Sequence, residues 1–455
     1  MRRFFGYYVA TSWLLVGVLE ASLMTAGCCV AFYYFFPGKS SSVIGVTSFA
    51  VVLSCGIVAL MHSGVYEGAT VVKLRGALWR TAMVTAPVFG LAAWTIAEVA
   101  GHTRVGIDPY RLQLTASLTA FWLLSGVALH VLVRQIHRRG YLTRRIIVVG
   151  MQNHAAELAG LAEESEQRFR LVAQFDPQNQ AGVADSQFQL ATQASNLRAS
   201  EIVIAIDGQP LPWNALAHCR FSGIRVTDYL DFYEREAKRI CVDSLREDWI
   251  ALSRGFEVAK SKDRLRRLVD VVLSIVGFIA TAPVLILAAL AIKLEDGGSV
   301  FYCQERAGLG GRSFTLFKFR SMREDAENDG LPAWTMERDM RITMVGRVIR
   351  KFRIDELPQL WNVLRGDMTL IGPRPERPYF VQQFSKAIPF YGFRHAVRPG
   401  ITGWAQVSFR YGASLEDATR KLSYDLYYIK NRGILLDIVI LLKTVGVVLS
   451  GQGAR

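Results

Sequence analysis

The chain has 455 residues, of which 51% are hydrophobic and 20% are charged, and its formal net charge is +14. At roughly 150 residues per domain, this length predicts about three domains. An ordinary soluble protein carries about 25% charged residues, so the composition predicts that part of the chain lies in lipid, and it excludes disorder, collagen and small disulfide scaffolds. The basic excess favours cytoplasmic flanks of membrane segments and anionic ligands over nucleic acid. The six cysteines show no C-x-x-C spacing, which indicates reduced thiols and no structural zinc.

Four apolar runs in the first third of the chain each approach the ~20 residues that a helix needs to cross a bilayer. They are Trp13–Phe36, Val43–Met61, Thr81–Ala100 and Leu112–Val133. Because three runs follow the first, we interpret the first as an uncleaved anchor rather than a signal peptide. Residues 1–140 are therefore predicted to form a four-helix transmembrane bundle.

Positive charge outside these runs predicts the orientation of the bundle, since Lys and Arg collect on the cytoplasmic side. One side carries ten such residues and the other carries three, so both ends of the bundle are predicted to face the cytoplasm. The ten are Arg2, Arg3, Lys73, Arg75, Arg80, Arg134, Arg138, Arg139, Arg144 and Arg145, and the three are Lys39, Arg104 and Arg111.

Residues 141–255 alternate short β-branched runs with helical patterns, which is typical of an α/β domain with a parallel sheet. The first run, Arg145–Gly150, ends in a glycine, as the first strand of a Rossmann-like fold does. A dinucleotide site needs G-x-G-x-x-G at this point, and the second and third glycines are absent here. The segment is therefore predicted to be a degenerate Rossmann-like domain with a structural or regulatory role.

A fifth apolar run, Leu268–Leu294, contains Pro283. Proline removes a backbone hydrogen bond and kinks or breaks a helix. A full crossing would send the rest of the chain outside, whereas a re-entrant helix over residues 265–295, broken at Pro283, would return it to the same face. A plain kinked span is the alternative from these residues alone.

Lys318 and Arg320, in the stretch Phe314–Met322 (FTLFKFRSM), share one face of a predicted strand because alternate residues of a strand point the same way. Two cations on one face suit a phosphate or diphosphate, and a solvated edge strand is the alternative. The next patterned stretch, Arg341–Phe352, is amphipathic and is predicted to lie on an anionic membrane surface or against a core.

Asp355 and Glu356 follow this stretch, and Pro358 predicts a helix that starts near Asp355, because proline is favoured in the first helical turn. The N-terminus of a helix favours anions. Two carboxylates beside several arginines suggest a nucleophile and a metal ligand in phosphoryl transfer. A capping Asp beside an exposed Glu is the alternative.

Two further segments combine arginine with rigid turns. Gly372–Pro375 (GPRP) holds Arg374 between two prolines, which fixes the direction of a guanidinium suited to phosphate. Arg398 lies in a second segment of this kind, residues 397–407 (VRPGITGWAQV). The last apolar run, Ile434–Leu449, carries two charges and is predicted to be a helix on the membrane or in the core rather than a span.

These motifs occur in the order seen in polyprenyl-phosphate sugar-1-phosphate transferases, the bacterial initiating sugar transferases of the monotopic phosphoglycosyl transferase superfamily. Residues 260–455 resemble that family closely, through Pro283, FTLFKFRSM, RIDELPQLWNVLRGDM, GPRP, RPGITGWAQV and KLSYDLYYIKN. The four spans and the middle domain resemble the long-form members. The segments FGYYVA, RPERP and GAR resemble the exopolysaccharide subgroup that is associated with exosortase systems.

The resemblance implies an α+β catalytic domain over residues 260–455 with a re-entrant membrane helix. By motif position, Asp355 corresponds to the nucleophile, Glu356 to the ligand of Mg²⁺, and Lys318, Arg350 and Arg374 to the cations that bind phosphate. Together with Arg320 and Arg398, these residues make up the predicted site.

The reaction implied by the resemblance moves a sugar-1-phosphate from a UDP-sugar to polyprenyl (undecaprenyl) phosphate through a covalent aspartyl intermediate, and UMP leaves. The resemblance further implies that this reaction is the first membrane step of exopolysaccharide synthesis. The enzyme would be a multi-pass protein in contact with membrane lipid, with its reaction at the cytoplasmic face of the bacterial inner membrane. A homodimer is compatible with the resemblance.

Two other classes of protein stay open at this point. A membrane-anchored nucleotide-sugar dehydratase or epimerase shares this domain plan, but it needs an intact G-x-G-x-x-G and a catalytic Y-x-x-x-K, and none of the 16 tyrosines has Lys four residues later. A non-catalytic membrane scaffold of a polysaccharide assembly complex is the second alternative. The presence of Asp355 and Arg374 argues against it.

Overall fold

The structure is a computed structural model that describes residues 143–150, 152–165, 168–175, 183–206, 211–257, 260–323, 339–409 and 414–450, together with scattered earlier positions. Among the earlier positions are two short strands, β1 (Arg2–Phe4) and β2 (Tyr7–Val9). The four predicted spans between residues 13 and 133 lie outside the described residues, apart from isolated positions. The chain divides into two compact units, one of Met1–Arg2 with Tyr8–Ala237 and one of Arg3–Tyr7 with Lys238–Arg455.

The described part of the first unit alternates strands and helices. The elements are β3 (Arg144–Gly150), α1 (Gln152–Glu164), β4 (Phe169–Phe175), α2 (Val183–Asn196), β5 (Glu201–Ala205), α3 (Trp213–Phe221), β6 (Arg225–Asp228) and α4 (Tyr229–Ala237). The four strands form one sheet in the order β4–β3–β5–β6, and every pair is parallel. Residues 146–149 of the central strand are completely buried, as expected for a parallel sheet covered on both faces. The predicted α/β arrangement is confirmed for these residues.

Gly150 at the end of β3 has a packing role. Its φ is +148°, and a Cβ added there would come within 2.1 Å of the carbonyl oxygen of Ala205 on β5. Only glycine allows this close approach of the two strands. The glycine that suggested a nucleotide-binding turn is therefore accounted for by contact between neighbouring strands.

The second unit contains a long helix, two small strand pairs and several shorter helices. The elements are α5 (Glu247–Leu252), α6 (Lys260–Asp296), β7 (Phe301–Ala307), β8 (Ser313–Phe319), α7 (Met344–Lys351), α8 (Gln359–Arg365), β9 (Thr369–Ile371), α9 (Pro378–Ala387), β10 (Gly400–Thr402), α10 (Trp404–Ser408), α11 (Leu415–Asn431) and α12 (Ile434–Ser450). Strands β7 and β8 pair antiparallel, and β9 and β10 pair parallel.

Helix α6 is the one helix in the described part of the chain that is long and apolar enough to cross a membrane. Over residues 263–296 its most apolar window reaches a mean hydropathy of 2.6, and 11% of that window is buried. The helix continues through Pro283, so the break predicted at this residue is absent from the structure. A single proline removes only one backbone donor, and apolar membrane helices accommodate it without ending.

Polar residues of α6 tie this apolar helix to the rest of the unit. Near its start, Asp270 accepts hydrogen bonds from Thr369 Oγ1 (2.7 Å) and from the backbone N–H of Leu370 (3.1 Å), which holds β9. Near its end, Glu295 accepts from the backbone N–H groups of Met344 (2.7 Å) and Val345 (3.1 Å), the first residues of α7. The helix therefore positions both β9 and α7.

Asn362 on α8 connects that helix to β8. Its Nδ2 donates to the carbonyl of Thr315 at 2.7 Å, and its Oδ1 accepts from the backbone N–H of Phe317 at 3.0 Å. The side chain is completely buried, so each bond replaces one that the amide would make with water. This contact fixes the turn that precedes α8 relative to Lys318 on β8.

The last two helices differ in how they are buried. Helix α11 begins with a capping box between Ser414 and Asp417 and is buried along most of its length, with Tyr427 and Tyr428 among the largest fully buried side chains. Helix α12 buries Leu436 and Ile440 on one side. Its other side exposes apolar residues at helical spacing, namely Ile434, Ile438, Leu441 and Val445.

Candidate active site

Asp355 and Glu356 lie in a single turn of 3₁₀-helix, Ile354–Glu356, between α7 and α8. Arg353 begins this turn in the left-handed conformation (φ 59°), which reverses the chain after α7. Pro358 stands directly before α8, which begins at Gln359. The predicted helix start near Asp355 is therefore wrong by four residues, because the left-handed Arg353 introduces a separate turn. The carboxylates precede α8 instead of lying in its first turn.

Glu356 is bound by two arginines. Its Oε1 accepts from Nη2 of Arg374 at 2.8 Å and from Nη1 of Arg353 at 3.1 Å. Burial favours the protonated form of this carboxyl, but Arg374 and Arg353 outweigh burial and hold its pKa below the ordinary range. Glu356 is therefore a fixed negative charge.

Asp355 is buried, with 8% of the residue exposed. Its Oδ1 has no hydrogen-bond partner among the described residues. Burial and the negative charge of Glu356 raise its pKa, while Lys318, Arg350 and Arg353 act in the opposite direction. A buried carboxylate oxygen without a partner is costly in a folded protein and is characteristic of functional sites.

Lys318 and Arg350 approach the two carboxylates from different elements. Lys318 lies on β8 opposite Tyr302, and its Nζ is 5.0 Å from the centre of the tyrosine ring. Burial lowers the pKa of Lys318, Arg306 lowers it further, and the charge of Asp355 opposes both. Arg350 is in the last turn of α7; burial lowers its pKa, and Asp355 again acts in the opposite direction.

Two of the predicted phosphate-binding residues have other partners. Arg320 follows the end of β8 and forms an ion pair with Asp296 at the end of α6. Arg398 donates from Nε to the carbonyl of Gly366 at 3.1 Å, at the C-terminus of α8. The structure thus brings Lys318, Arg350 and Arg374 together around Asp355 and Glu356, and it gives Arg320 and Arg398 contacts that stabilise neighbouring helix ends.

The loop that carries Arg374 is packed backbone against backbone. The N–H of Gly372 donates to the carbonyl of Thr402 at 2.8 Å, and the N–H of Gly400 donates to the carbonyl of Pro373 at 2.9 Å. A Cβ on Gly400 would come within 2.0 Å of the nitrogen of Gly372, and one on Gly403 within 2.1 Å of its oxygen. The two Pro/Gly-rich segments therefore form one rigid support for Arg374.

Two arginines that the sequence did not single out, the buried Arg394 and the partly buried Arg306, also hold this loop. Arg394 donates from Nη2 to the main-chain oxygen of Arg374 at 3.0 Å and to Oδ2 of Asp425 at 2.8 Å. Arg306 donates from Nη1 to the carbonyl of Pro375 at 3.2 Å. No local pattern marks these residues, because their partners lie tens of residues away in the chain.

The donor set fits a Mg²⁺ ion whose remaining ligands are water and substrate phosphates. Among the described residues, no group of three or more His, Cys, Asp or Glu side chains could hold a metal ion by itself. Mg²⁺ is commonly bound through one or two carboxylates together with substrate phosphates. The ionised Glu356 and the unpartnered Oδ1 of Asp355 supply such carboxylate oxygens beside cations that suit a diphosphate.

Comparison with known proteins gives one family match and several similar relatives. Residues 261–451 match the bacterial sugar transferase family. The chain is 43% identical to a UDP-N-acetylgalactosamine-undecaprenyl-phosphate N-acetylgalactosaminephosphotransferase of Aeromonas hydrophila, over 53% of this chain and 56% of the relative. It is 34% identical to an undecaprenyl-phosphate glucose phosphotransferase of Komagataeibacter xylinus, over 67% of this chain and 59% of the relative. The chain therefore spans somewhat more than half the length of these two relatives.

A shorter relative is covered more completely. The chain is 42% identical to a UDP-glucose:undecaprenyl-phosphate glucose-1-phosphate transferase of Caulobacter vibrioides, over 42% of this chain and 72% of the relative. The family match over residues 261–451 contains the turn, the Gly-Pro-Arg-Pro loop and nearly all of the apolar helix. The family expected from the motifs is confirmed: the chain belongs to the bacterial sugar transferases, alongside relatives named as undecaprenyl-phosphate sugar phosphotransferases.

Proposed function

We propose that the chain transfers a sugar-1-phosphate from a UDP-sugar to polyprenyl phosphate, giving polyprenyl-diphospho-sugar and UMP. The observation that carries this proposal is the buried carboxylate of Asp355, whose Oδ1 lacks a partner among the described residues. It lies beside the arginine-bound Glu356 and next to Lys318 and Arg350. A nucleophile, a fixed negative charge and several cations together suit phosphoryl transfer.

In the first step, a carboxylate oxygen of Asp355 attacks the phosphorus that carries the sugar. The bond from that phosphorus to the oxygen of UMP breaks, and UMP leaves with the electron pair. Asp355 is then held in an acyl phosphate with the sugar-phosphoryl group. Lys318 and Arg350 stabilise the negative charge that spreads over the phosphoryl oxygens.

In the second step, an oxygen of polyprenyl phosphate attacks the same phosphorus. The bond to Asp355 breaks and the carboxylate is restored. Because a water-soluble donor and a lipid acceptor use one nucleophile in turn, the kinetics are expected to be ping-pong. Arg374, fixed by its rigid loop, keeps Glu356 in place through both steps.

Glu356 is the proposed protein ligand of Mg²⁺, which when bound would add positive charge against the diphosphate of the donor. The charge of Glu356, held by Arg374 and Arg353, is suited to this role.

The proposed setting is the cytoplasmic face of the bacterial inner membrane. We propose a multi-pass transmembrane bundle over residues 1–140, a degenerate Rossmann-like domain over 141–255, and a catalytic domain over 260–455 in which both ends of the apolar segment 265–295 lie on the same face of the membrane. A homodimer and a place at the start of exopolysaccharide synthesis are part of the same proposal. The exposed apolar surface of α6, only 11% buried in its most apolar window, supports contact with lipid.

The deciding experiment is an assay of UMP release by the purified full-length chain with undecaprenyl phosphate and Mg²⁺. UDP-glucose and UDP-N-acetylgalactosamine belong in the panel of donors, because the relatives are named for glucose and N-acetylgalactosamine. Lipid-dependent UMP release that is lost in Asp355→Asn would support the transferase. Absence of UMP release with every donor would favour the scaffold alternative.

A further inference from the structure

A polar face of β7 continues the site beyond its two carboxylates. Tyr302, Gln304 and Arg306 alternate along the strand, so their side chains share one face. Tyr302 is opposite Lys318 in the strand pair. Nε2 of Gln304 donates to the hydroxyl of Tyr302 at 2.8 Å, and Nη2 of Arg306 donates to Oε1 of Gln304 at 2.6 Å. A hydrogen-bonded row therefore runs from the side of Lys318 to Arg306.

Arg306 lies beside the loop that supports Arg374. Its Nη1 donates to the carbonyl of Pro375 at 3.2 Å, and the next residue, Ala307, donates its backbone N–H to the carbonyl of Glu376 at 2.9 Å. The charge of Arg306 also acts on Lys318, on which Asp355 acts as well. Arg306 thus contacts the residue that follows Arg374, and its charge reaches Lys318 beside the nucleophile.

The positive charge of Arg306 is only weakly offset. Its side chain is 17% exposed, and its ion pair with Glu376 is long, at 4.0 Å, while Lys421 binds the same carboxylate at 3.2 Å. Its buried Nε has no hydrogen-bond partner among the described residues. Burial lowers the pKa of Arg306 to about 10; Glu376 opposes this, and Arg374 lowers the pKa further. Binding of an anion would stabilise the positive charge of a guanidinium in such surroundings.

We propose that Arg306 binds the phosphate of the nucleotide that leaves as UMP, and that Gln304 orients its guanidinium. This inference rests on the proposed transferase function. Lys318 and Arg350, whose charges act directly on Asp355, would serve the phosphate that is attacked. Arg306 would hold the second phosphate of the donor and release it with UMP.

Position along β7 favours the nucleotide over the phosphate of the lipid acceptor. Phe301 starts the strand shortly after the apolar helix α6 ends at Asp296. Arg306 is five residues further along, about 17 Å at the rise of an antiparallel strand. With α6 in lipid, this end of β7 is the one further from the apolar helix, which favours a water-soluble donor.

The two half-reactions provide the test. In ping-pong kinetics, kcat/KM for the UDP-sugar reports only the first step, and kcat/KM for undecaprenyl phosphate reports only the second. Loss of a hydrogen bond to a charged group predicts a fall of about 10–100-fold in kcat/KM for the UDP-sugar in Arg306→Gln of the full-length chain. The value for undecaprenyl phosphate should stay within about twofold of wild type. Arg312→Gln, an exposed arginine before β8, is the matched control and should change neither value.

Each other result overturns the assignment. An equal loss in both values would mean that Arg306 only supports the Arg374 loop through Pro375. A loss confined to undecaprenyl phosphate would assign Arg306 to the lipid phosphate. No loss in either value would remove Arg306 from substrate binding altogether.

A second variant tests the charge without removing the guanidinium. Gln304→Glu places a carboxylate where Arg306 now donates at 2.6 Å and so offsets its charge, whereas Gln304→Met removes the hydrogen bond without adding charge. We expect Gln304→Glu to weaken binding of UMP by about tenfold or more relative to Gln304→Met, with binding of uridine unchanged in both. Equal binding of UMP by the two variants would refute the proposal even if Arg306→Gln fails to fold. Because this measurement needs no turnover, it remains decisive if the wild-type chain releases no UMP and the transferase proposal itself fails.

Discussion

Nη2 of Arg374 donates to Oε1 of Glu356 at 2.8 Å, while Oδ1 of the adjacent Asp355 is buried without a partner among the described residues. Two neighbouring carboxylates thus have opposite surroundings. The arginines stabilise the charge of Glu356, whereas burial and Glu356 itself raise the pKa of Asp355. Carboxylates whose environments push their pKa values apart commonly have different roles in one reaction.

Replacement of Asp355 tests its proposed role as the nucleophile. Asp355→Asn keeps the shape of the side chain, so UDP-sugar binding should persist, but UMP release should fall by more than ~10³-fold because the attacking group is removed. Incubation of wild type with a UDP-sugar labelled in the sugar, without lipid, should leave label on the peptide that contains Asp355. Asp243→Asn, at an exposed position before α5, is the control. Activity of Asp355→Asn within tenfold of wild type would exclude the covalent mechanism.

Arg374→Lys is predicted to behave as a severe change although it preserves the charge. A lysine lacks the planar guanidinium whose Nη2 reaches Glu356 from a backbone fixed by two prolines and Gly372. The rate of UMP release should fall by about 10²–10³-fold, the range seen when one charge-stabilising group is lost. Arg365→Lys makes the same replacement at an exposed arginine of α8, and its activity should match wild type. Equal rates of UMP release in Arg374→Lys and Arg365→Lys would contradict a role that requires the guanidinium of Arg374.

Asn362→Leu is predicted to destabilise the catalytic unit. The variant leaves the carbonyl of Thr315 and the N–H of Phe317 without the amide that now pairs them in a fully buried position. An unsatisfied buried group costs about 1–3 kcal/mol, so denaturant unfolding in detergent should show a loss of at least that size. Gln382→Leu, on the exposed side of α9, should be close to neutral.

Hydrophobic patterns in the sequence correctly predicted the helices and strands that depend on neighbouring residues alone. The alternation of β-branched runs and helical patterns predicted the parallel sheet, and the amphipathic stretch predicted α7. The same signals could not predict the turn at Ile354–Glu356, because it depends on a left-handed Arg353 that reverses the chain so that α8 packs on β8 through Asn362. Pro358 indicated that a helix begins nearby, but the predicted start near Asp355 is four residues too early because the separate turn was not foreseen.

The sequence predicted which residues of the candidate site are cationic, but it did not predict which partners those residues bind. Lys318 and Arg320 are two residues apart and share the expected strand pattern, yet β8 ends between them, and Asp296 of α6 binds Arg320. Arg306 and Arg394 carry no local mark because they bind main-chain carbonyls of a distant loop. Partners tens of residues apart are a property of the tertiary fold, and a single sequence does not encode them in its spacing.

The pH dependence of stability should report His395, in the 3₁₀ turn Tyr391–Ala396. Burial lowers the pKa of His395 to about 4, and the charge of Arg394 adds to this effect. The unfolded chain, with a histidine pKa of about 6.5, therefore takes up the proton first as the pH falls. This contribution to stability is complete above about pH 6.5 and is lost between pH 6.5 and 4.

His395→Gln removes that titration. The difference in Tm between wild type and the variant should shrink or reverse as the pH is lowered from 7.5 to 4.5, measured by thermal unfolding in detergent. His218→Gln, at an exposed position of α3, is the matched substitution for comparison. A parallel decline of wild type and His395→Gln would show that other groups dominate acid destabilisation.

The topology of α6 decides whether the proposed reaction can occur. UDP-sugars are cytoplasmic, so Asp355 must be cytoplasmic as well. If residues 1–140 end in the cytoplasm, the apolar segment that contains Pro283 must return the chain to the same side, although the helix itself is continuous. A straight helix needs only about 20 residues to cross ~30 Å of hydrocarbon, and α6 has 37. Length therefore permits a crossing, and the orientation has to be measured.

Cys303 offers a native probe because it is exposed on β7, just after α6. A variant that retains only Cys303, and a second variant without native cysteines that carries Ser261→Cys before the apolar segment, report the two ends of α6. Both should be shielded from an impermeant thiol reagent in intact cells and should react once the inner membrane is opened. Replacing Ala282 and Pro283 by leucines should favour a full crossing, so that Cys303 becomes labelled in intact cells and UMP release falls. Labelling of Cys303 in intact cells without that replacement would place β7 and Asp355 outside, away from the donor, and the transferase proposal would fail with it.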